Sequence, residues 1–204
     1  MKPQTRTRIK IEKEENFLRS NYRKSFRFLR QSSSYISAAV AIFFIIGIFG
    51  FMFPIFFQED ITKFVEQTKD RFEGKSTFDT AKMIFLNNLS ASFFAMTFGI
   101  FFGIFPVIAL VTNGYLLGFV ARKAIALDGI FVLWRLFPHG IFELPAVLLS
   151  IGIGLRLGFD FLKERNFSKL KINFRESLRL FIFIVIPLLI IAAIIEGVLV
   201  VYLR

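Results

Sequence analysis

Residues 83–121 read MIFLNNLSASFFAMTFGIFFGIFPVIALVTNGYLLGFVA, thirty-nine positions without one charged side chain. A helix crosses the hydrocarbon core of a bilayer with roughly 20 apolar residues. A charge at that depth costs several kcal/mol. Thirty-nine such residues are too many for one crossing and suit two. Gly103-Ile104-Phe105-Pro106 offers a tight turn between them, which predicts spans over 87–105 and 106–121.

Working outward, residues 31–58 are also free of charge, as are residues 180–195. The chain of 204 residues is 55% hydrophobic and holds 30 Phe. These runs predict an all-α, polytopic transmembrane helix bundle of about five spans, near 35–57, 87–105, 106–121, 143–162 and 180–202. Residues 35–204 then form a single transmembrane domain behind a basic arm, 1–34. There is no cysteine, so disulfides and thiolate metal sites are excluded. No cleavable leader pattern is expected, because the first apolar run follows about 35 mostly polar residues and is too long for a leader core.

A formal charge of +11 invites a nucleic-acid reading, and the placement of the charges argues against it. Residues 1–35 carry ten Lys/Arg against three Glu, interleaved with Phe17, Leu18, Tyr22, Phe26 and Leu29. That pattern fits an amphipathic helix, either on anionic lipid headgroups or packed beside the first span. Residues 160–179 hold six Lys/Arg and three acids. Residues 58–82 hold five and six, and Ile61, Phe64, Val65, Thr68 and Phe72 recur there at helical spacing. Basic excess marks the cytoplasmic side. The arm, the 103–106 turn and the 160–179 segment are therefore expected inside the cell membrane. The 58–82 segment, the 122–129 loop and the C-terminus are expected outside.

Small residues recur every fourth position: Ala95, Gly99, Gly103; Gly114, Gly118; and Ala146, Ser150, Gly154, Gly158. Such stripes let helices approach closely in lipid, where packing replaces the hydrophobic effect. The last stripe follows FPHGIFELP, residues 137–145, which holds the chain's one histidine. Proline suits the first turn of a helix, so Pro145 predicts a helix over about 143–162. A broken or re-entrant element then precedes the fourth span, with Glu143 at a helix N-terminus. One long helix kinked at Pro138 and Pro145 is the alternative. Broken membrane helices are a common way to build a transporter site.

Arg135, His139 and Glu143 stand at i, i+4 and i+8. With Arg122 and Glu196 they suggest a polar cluster in the outer half, acting as a hinge or binding a ligand. His139 and Glu143 could supply two metal ligands, with a third only from Glu196, so no metal or other cofactor is assigned. Arg156 falls at the inner end of its span, where it can snorkel to phosphate. Asn87, Asn88 and Asn113 can hydrogen-bond between helices or contact a substrate.

Three motifs, FLNNLSASF (85–93), NGYLLGFVA (113–121) and PHGIFELPAVLLSIGIGLRLG (138–158), resemble the stage II sporulation protein M family. The positions that match its pattern are Asn87, Asn88, Asn113, Gly114, Gly118, His139, Gly140, Glu143, Pro145, Arg156 and Gly158. The resemblance implies a five-span membrane fold and no established catalytic residue. In spore formers the named member anchors a complex with a peptidoglycan hydrolase and its partner. Relatives also occur where sporulation and murein are absent. The expected function is a non-enzymatic scaffold with protein partners or a second copy of itself. A transporter or channel around His139 and Glu143, and an intramembrane enzyme, are the alternatives.

Overall fold

The computed structural model describes the backbone of residues 3–202 and their side chains outside 3–15, 69, 134–139 and 200–202. Nearly all of the described backbone is helical: α1 Pro3–Gln31, α2 Ser33–Met52, α3 Gln58–Phe72, α4 Thr77–Thr97, α5 Ile104–Asp128, α6 Leu133–Glu164, α7 Phe167–Leu180 and α8 Ile186–Tyr202. Short 3₁₀ turns at Phe98–Ile100 and Ile130–Val132, and a π turn at Phe181–Val185, complete the chain. Five segments are long and apolar enough to cross a membrane: Ser33–Met52, Thr77–Ile100, Ile104–Asp128, Gly140–Glu164 and Phe167–Leu199. The five-span all-α bundle read from the charge-free runs stands.

α6 is the central helix and packs on α2, α4, α5 and α8. Five consecutive residues, Ile151, Gly152, Ile153, Gly154 and Leu155, are all buried, so this stretch has no lipid-facing side. The α2–α5 pair lies against α6, as does the α4–α8 pair. The apolar clusters follow this division except for Ala95 of α4, which joins the α2–α5 side. Ala39, Phe43, Ala95, Leu110, Leu148, Ile151 and Leu155 form one; Met96, Ala146, Ile153, Leu180, Phe181, Val185, Leu189 and Phe28 of the arm form the other.

Glycines set the helix spacing. A Cβ on Gly99 would stand 2.2 Å from the Gly154 carbonyl oxygen, and one on Gly158 2.2 Å from the Gly103 nitrogen. On the other side of α6, a Cβ on Gly118 would stand 1.9 Å from the Gly47 carbonyl oxygen. These are backbone-to-backbone approaches that only glycine allows, the arrangement that joins helices in lipid. Gly50, Gly152 and Gly197 make further close approaches, to Tyr115, Ile36 and Ala81. Gly103 also turns the chain, at φ 76°, between α4 and α5.

Helix ends differ from the charge-run boundaries for local reasons. α4 starts ten residues before the expected Asn87, because Ser76 caps it: its Oγ accepts from the Asp79 N–H (3.2 Å) and donates to Asp79 Oδ2 (2.6 Å). α5 runs through Arg122 and Lys123 to Gly129, since exposed cations do not end a helix. The 160–179 segment is not a loop. Arg165, at φ 48°, ends α6, and Asn166 caps α7 by accepting from the Lys169 N–H (3.1 Å).

The break expected before the fourth span is replaced by one helix, α6, which passes through Pro138 and Pro145. Each proline removes a single N–H donor, and such losses are tolerated where neighbouring helices pack closely. Glu143 therefore lies inside α6, ten residues past its first residue, and not at a helix N-terminus. In the last span Pro187 follows the π turn, where the Ile186 N–H donates to the Phe181 oxygen, five residues back.

Candidate functional site

α1, α7 and the Gly103 turn lie at one end of the bundle, called here the arm end. This end carries the best-defined polar site among the described residues. Arg156 and Asp160 are one turn apart on α6, and the Arg156 Nε donates to Asp160 Oδ2 at 3.3 Å. Arg156 Nη1 donates to Ser32 Oγ at 2.7 Å and reaches the Phe28 carbonyl at 3.5 Å. Its guanidinium lies 4.4 Å from the centre of the Phe28 ring, a cation–π contact. Tyr35 donates its O–H to Asp160 Oδ1 at 2.7 Å, and Asn173 of α7 reaches Asp160 Oδ2 at 3.4 Å.

Arg156 and Asp160 are 11% and 21% exposed, so the pair is shielded enough to act far more strongly than a surface ion pair. The site joins α1, α2, α6 and α7 around one carboxylate. Arg156 Nε and Nη1 are taken up by Asp160, Ser32 and the Phe28 carbonyl. A second tie lies nearby. Arg179 Nε donates to Asn21 Oδ1 at 3.0 Å while Arg179 pairs with Glu176, and the rings of Phe17 and Tyr22 meet Phe183 edge-on. The arm is thus docked at residues 17–32. Leu18 and Phe26 stay exposed.

Toward the other end, only part of the expected outer cluster lies among the residues whose side chains are described. The side chains of Arg135 and His139 lie outside the described residues. Glu143 and Glu196 each turn one carboxylate oxygen away from solvent. Their depths differ. Glu143 lies eleven residues beyond Gly154, and Asn88 eleven beyond its neighbour Gly99, so those two are level. Glu196 is next to Gly197, which meets Ala81, seven residues further out and so ~10 Å away along the axis. Arg122 is not in this group. It sits over the Phe51 ring at 5.5 Å, on the α2–α5 pair, whereas Glu196 belongs to the α4–α8 pair.

Among the described residues, the bonds of the Asn87 and Asn113 amides stay within one helix. Asn113 Nδ2 donates to the Ala109 carbonyl of its own helix at 2.7 Å, and Asn87 reaches only Asn88, at 3.4 Å. Asn87 and Asn113 are both exposed at the bundle surface, and Asn88 is half-buried. Of the small-residue positions, Ala95, Gly99, Gly103, Gly154 and Gly158 meet across α4 and α6, and Gly114 and Gly118 meet α2. Ala146 and Ser150 are buried, with Ser150 Oγ donating to the Ala146 carbonyl at 2.9 Å. Among the described residues, no group of three or more His, Asp or Glu could hold a metal.

Ser32, Tyr35, Asp160 and Asn173 were not anticipated as site residues. The one signal available was local, the i, i+4 spacing of Arg156 and Asp160. The partners on α1 and α2 are over 120 residues away.

An uncharacterised protein of Methanocaldococcus jannaschii is 37% identical over 101 residues, 47% of this chain and 45% of that protein. The chain therefore matches about half the length of that relative. No solved structure matches. The family model for stage II sporulation protein M matches residues 39–200, which takes in all five spans from within α2 to the last turn of α8. The chain belongs to the stage II sporulation protein M family.

Proposed function

We propose that this membrane protein is a non-enzymatic scaffold, which holds partners together in or at the membrane. The observation that carries the reading is the outward position of Asn113 and Asn87 in apolar spans. A carboxamide facing lipid gains by pairing with a polar group on another helix. The bundle interior, by contrast, is closed by backbone contact at Gly99, Gly154 and Gly158. Such a centre suits a rigid anchor better than a conduit.

The arm end faces the cytoplasm of the cell membrane in this reading, because the arm and residues 160–179 bring sixteen Lys/Arg against six acids. Anionic headgroups then meet the basic face of α1, and nucleic acid is not a partner. With five crossings, the C-terminus lies outside. The partner is another protein or a second copy of the chain.

Photo-crosslinkers placed one turn from Asn113 and Asn87, at Ala109 and Ser90, test the reading in native membranes. The expected result is a discrete adduct of defined mass from at least one position, reduced by Asn113→Leu or Asn87→Leu without loss of folded protein. Recovery of monomer alone from both positions contradicts it. A transporter reading draws on the shielded carboxylates of Glu143 and Glu196. Solute flux in proteoliposomes that is abolished by Glu143→Gln would favour it over the scaffold.

A further inference from the structure

α3 meets the bundle differently from the other helices. Its leading turn is fixed by Tyr115 of α5, whose hydroxyl bonds to the Phe53 and Phe56 carbonyls at 2.8 and 3.0 Å. Phe57 takes φ 56°, the left-handed conformation, and redirects the chain. α3 then stands off α2 and α5, leaving a cavity of about 740 Å³. Ile46 and Phe49 of α2, Val111 and Leu116 of α5, and Ile61 and Phe64 of α3 form its apolar walls.

That volume lies within the ~300–1,000 Å³ of small-ligand sites. Leu116 is six residues, or ~9 Å, along α5 from Arg122, toward the middle of the span. The cavity therefore reaches membrane depth. Its lining is almost wholly apolar, and at the depth of a span such a cavity opens onto lipid chains. One charged residue, Asp60, is on its wall, with Glu59 beside it in the first turn of α3. An apolar body with an acidic rim is complementary to an amphiphile with a cationic head.

We infer that the cavity holds the hydrocarbon chain of one membrane lipid whose amine-bearing headgroup pairs with Asp60. This site is separate from the arm-end network and does not depend on the scaffold reading. α3 acts as its cover: Ile61 and Phe64 close over the chain, and the polar face of the helix stays in water.

The test is native mass spectrometry of the full chain released from nanodiscs holding equal phosphatidylethanolamine and phosphatidylglycerol. The expected spectrum shows one retained lipid, with phosphatidylethanolamine favoured roughly fivefold, the size of one partly exposed ion pair. Leu116→Trp projects a bulky ring into the cavity and should reduce retention. Ile61→Trp does the same from α3, outside the packed bundle, so that a folding defect in the first variant cannot decide the matter. Asp60→Asn should keep the lipid and lose the preference. Any of the following overturns the inference: no retained lipid on the wild type, unchanged retention in both tryptophan variants, or a preference that survives Asp60→Asn. A protein adduct from a crosslinker at Ile61 in place of a lipid adduct also overturns it.

Discussion

The two ends of the bundle are built on different principles. At the arm end, four helices converge on Asp160 and Arg156, and α1 is pinned by the Phe28 ring, Ser32 and the Asn21–Arg179 bond. At the far end, α3 is tethered through one hydroxyl, Tyr115, and stands over a cavity. Charge at the arm end is used inward, as a lock. On α3 the described charges stay outward, on a helix that packs little. The difference teaches that basic residues in a membrane protein need not serve topology alone: Arg156 holds helices together.

Four substitutions sharpen the contrast. The largest effect is expected from Gly154→Leu, which drives a side chain into the Ala95 carbonyl, 2.3 Å from the ideal Cβ. Overpacking against rigid backbone should cost more than about 3 kcal/mol, read as loss of monodisperse protein on size exclusion. Asp160→Ala comes next. It strands the Arg156 guanidinium, and breaking a fully buried pair costs about 3–5 kcal/mol. With Asp160 one-fifth exposed, about 2–3 kcal/mol is expected, seen as a lower midpoint of thermal unfolding in detergent. Tyr115→Phe should lower global stability by no more than about 1.5 kcal/mol. Its effect should instead fall on α3, as faster proteolysis within residues 53–72. The smallest effect belongs to Lys169→Ala, which breaks an exposed pair with Glu164 and should change stability by under about 1 kcal/mol. If Tyr115→Phe destabilised the bundle more than Asp160→Ala, the contrast between the ends would be wrong.

Much of the fold was legible because a bilayer converts composition into geometry. The charge-free runs located the spans, and the Gly103-Pro106 sequence located the turn between α4 and α5. The four-residue spacing of Gly99, Gly154 and Gly158 pointed to close packing, though not to which stripe meets which. Helix ends were less legible, because Lys82, Arg122 and Lys123 sit comfortably on helices that outrun the hydrocarbon layer. Pro138 and Pro145 read as a break, yet each removes one donor from a 32-residue helix. The arm-end site was mostly hidden. Tyr35 and Ser32 gain their meaning only when α2 lies beside α6, and nothing near them in the chain announces Asp160. Asn113 had the right chemistry for interhelical bonding, but only the packed structure reveals that it faces outward.

Hydrogen–deuterium exchange on the full chain in lipid nanodiscs tests the central contrast most directly. Exchange reports local opening. The account predicts slow exchange at the α1–α2 junction, residues 28–36, and across residues 150–160 of α6, with α3 exchanging at least tenfold faster. Equal protection of α3 and the arm end, or faster exchange at residues 28–36 than in α3, would contradict it.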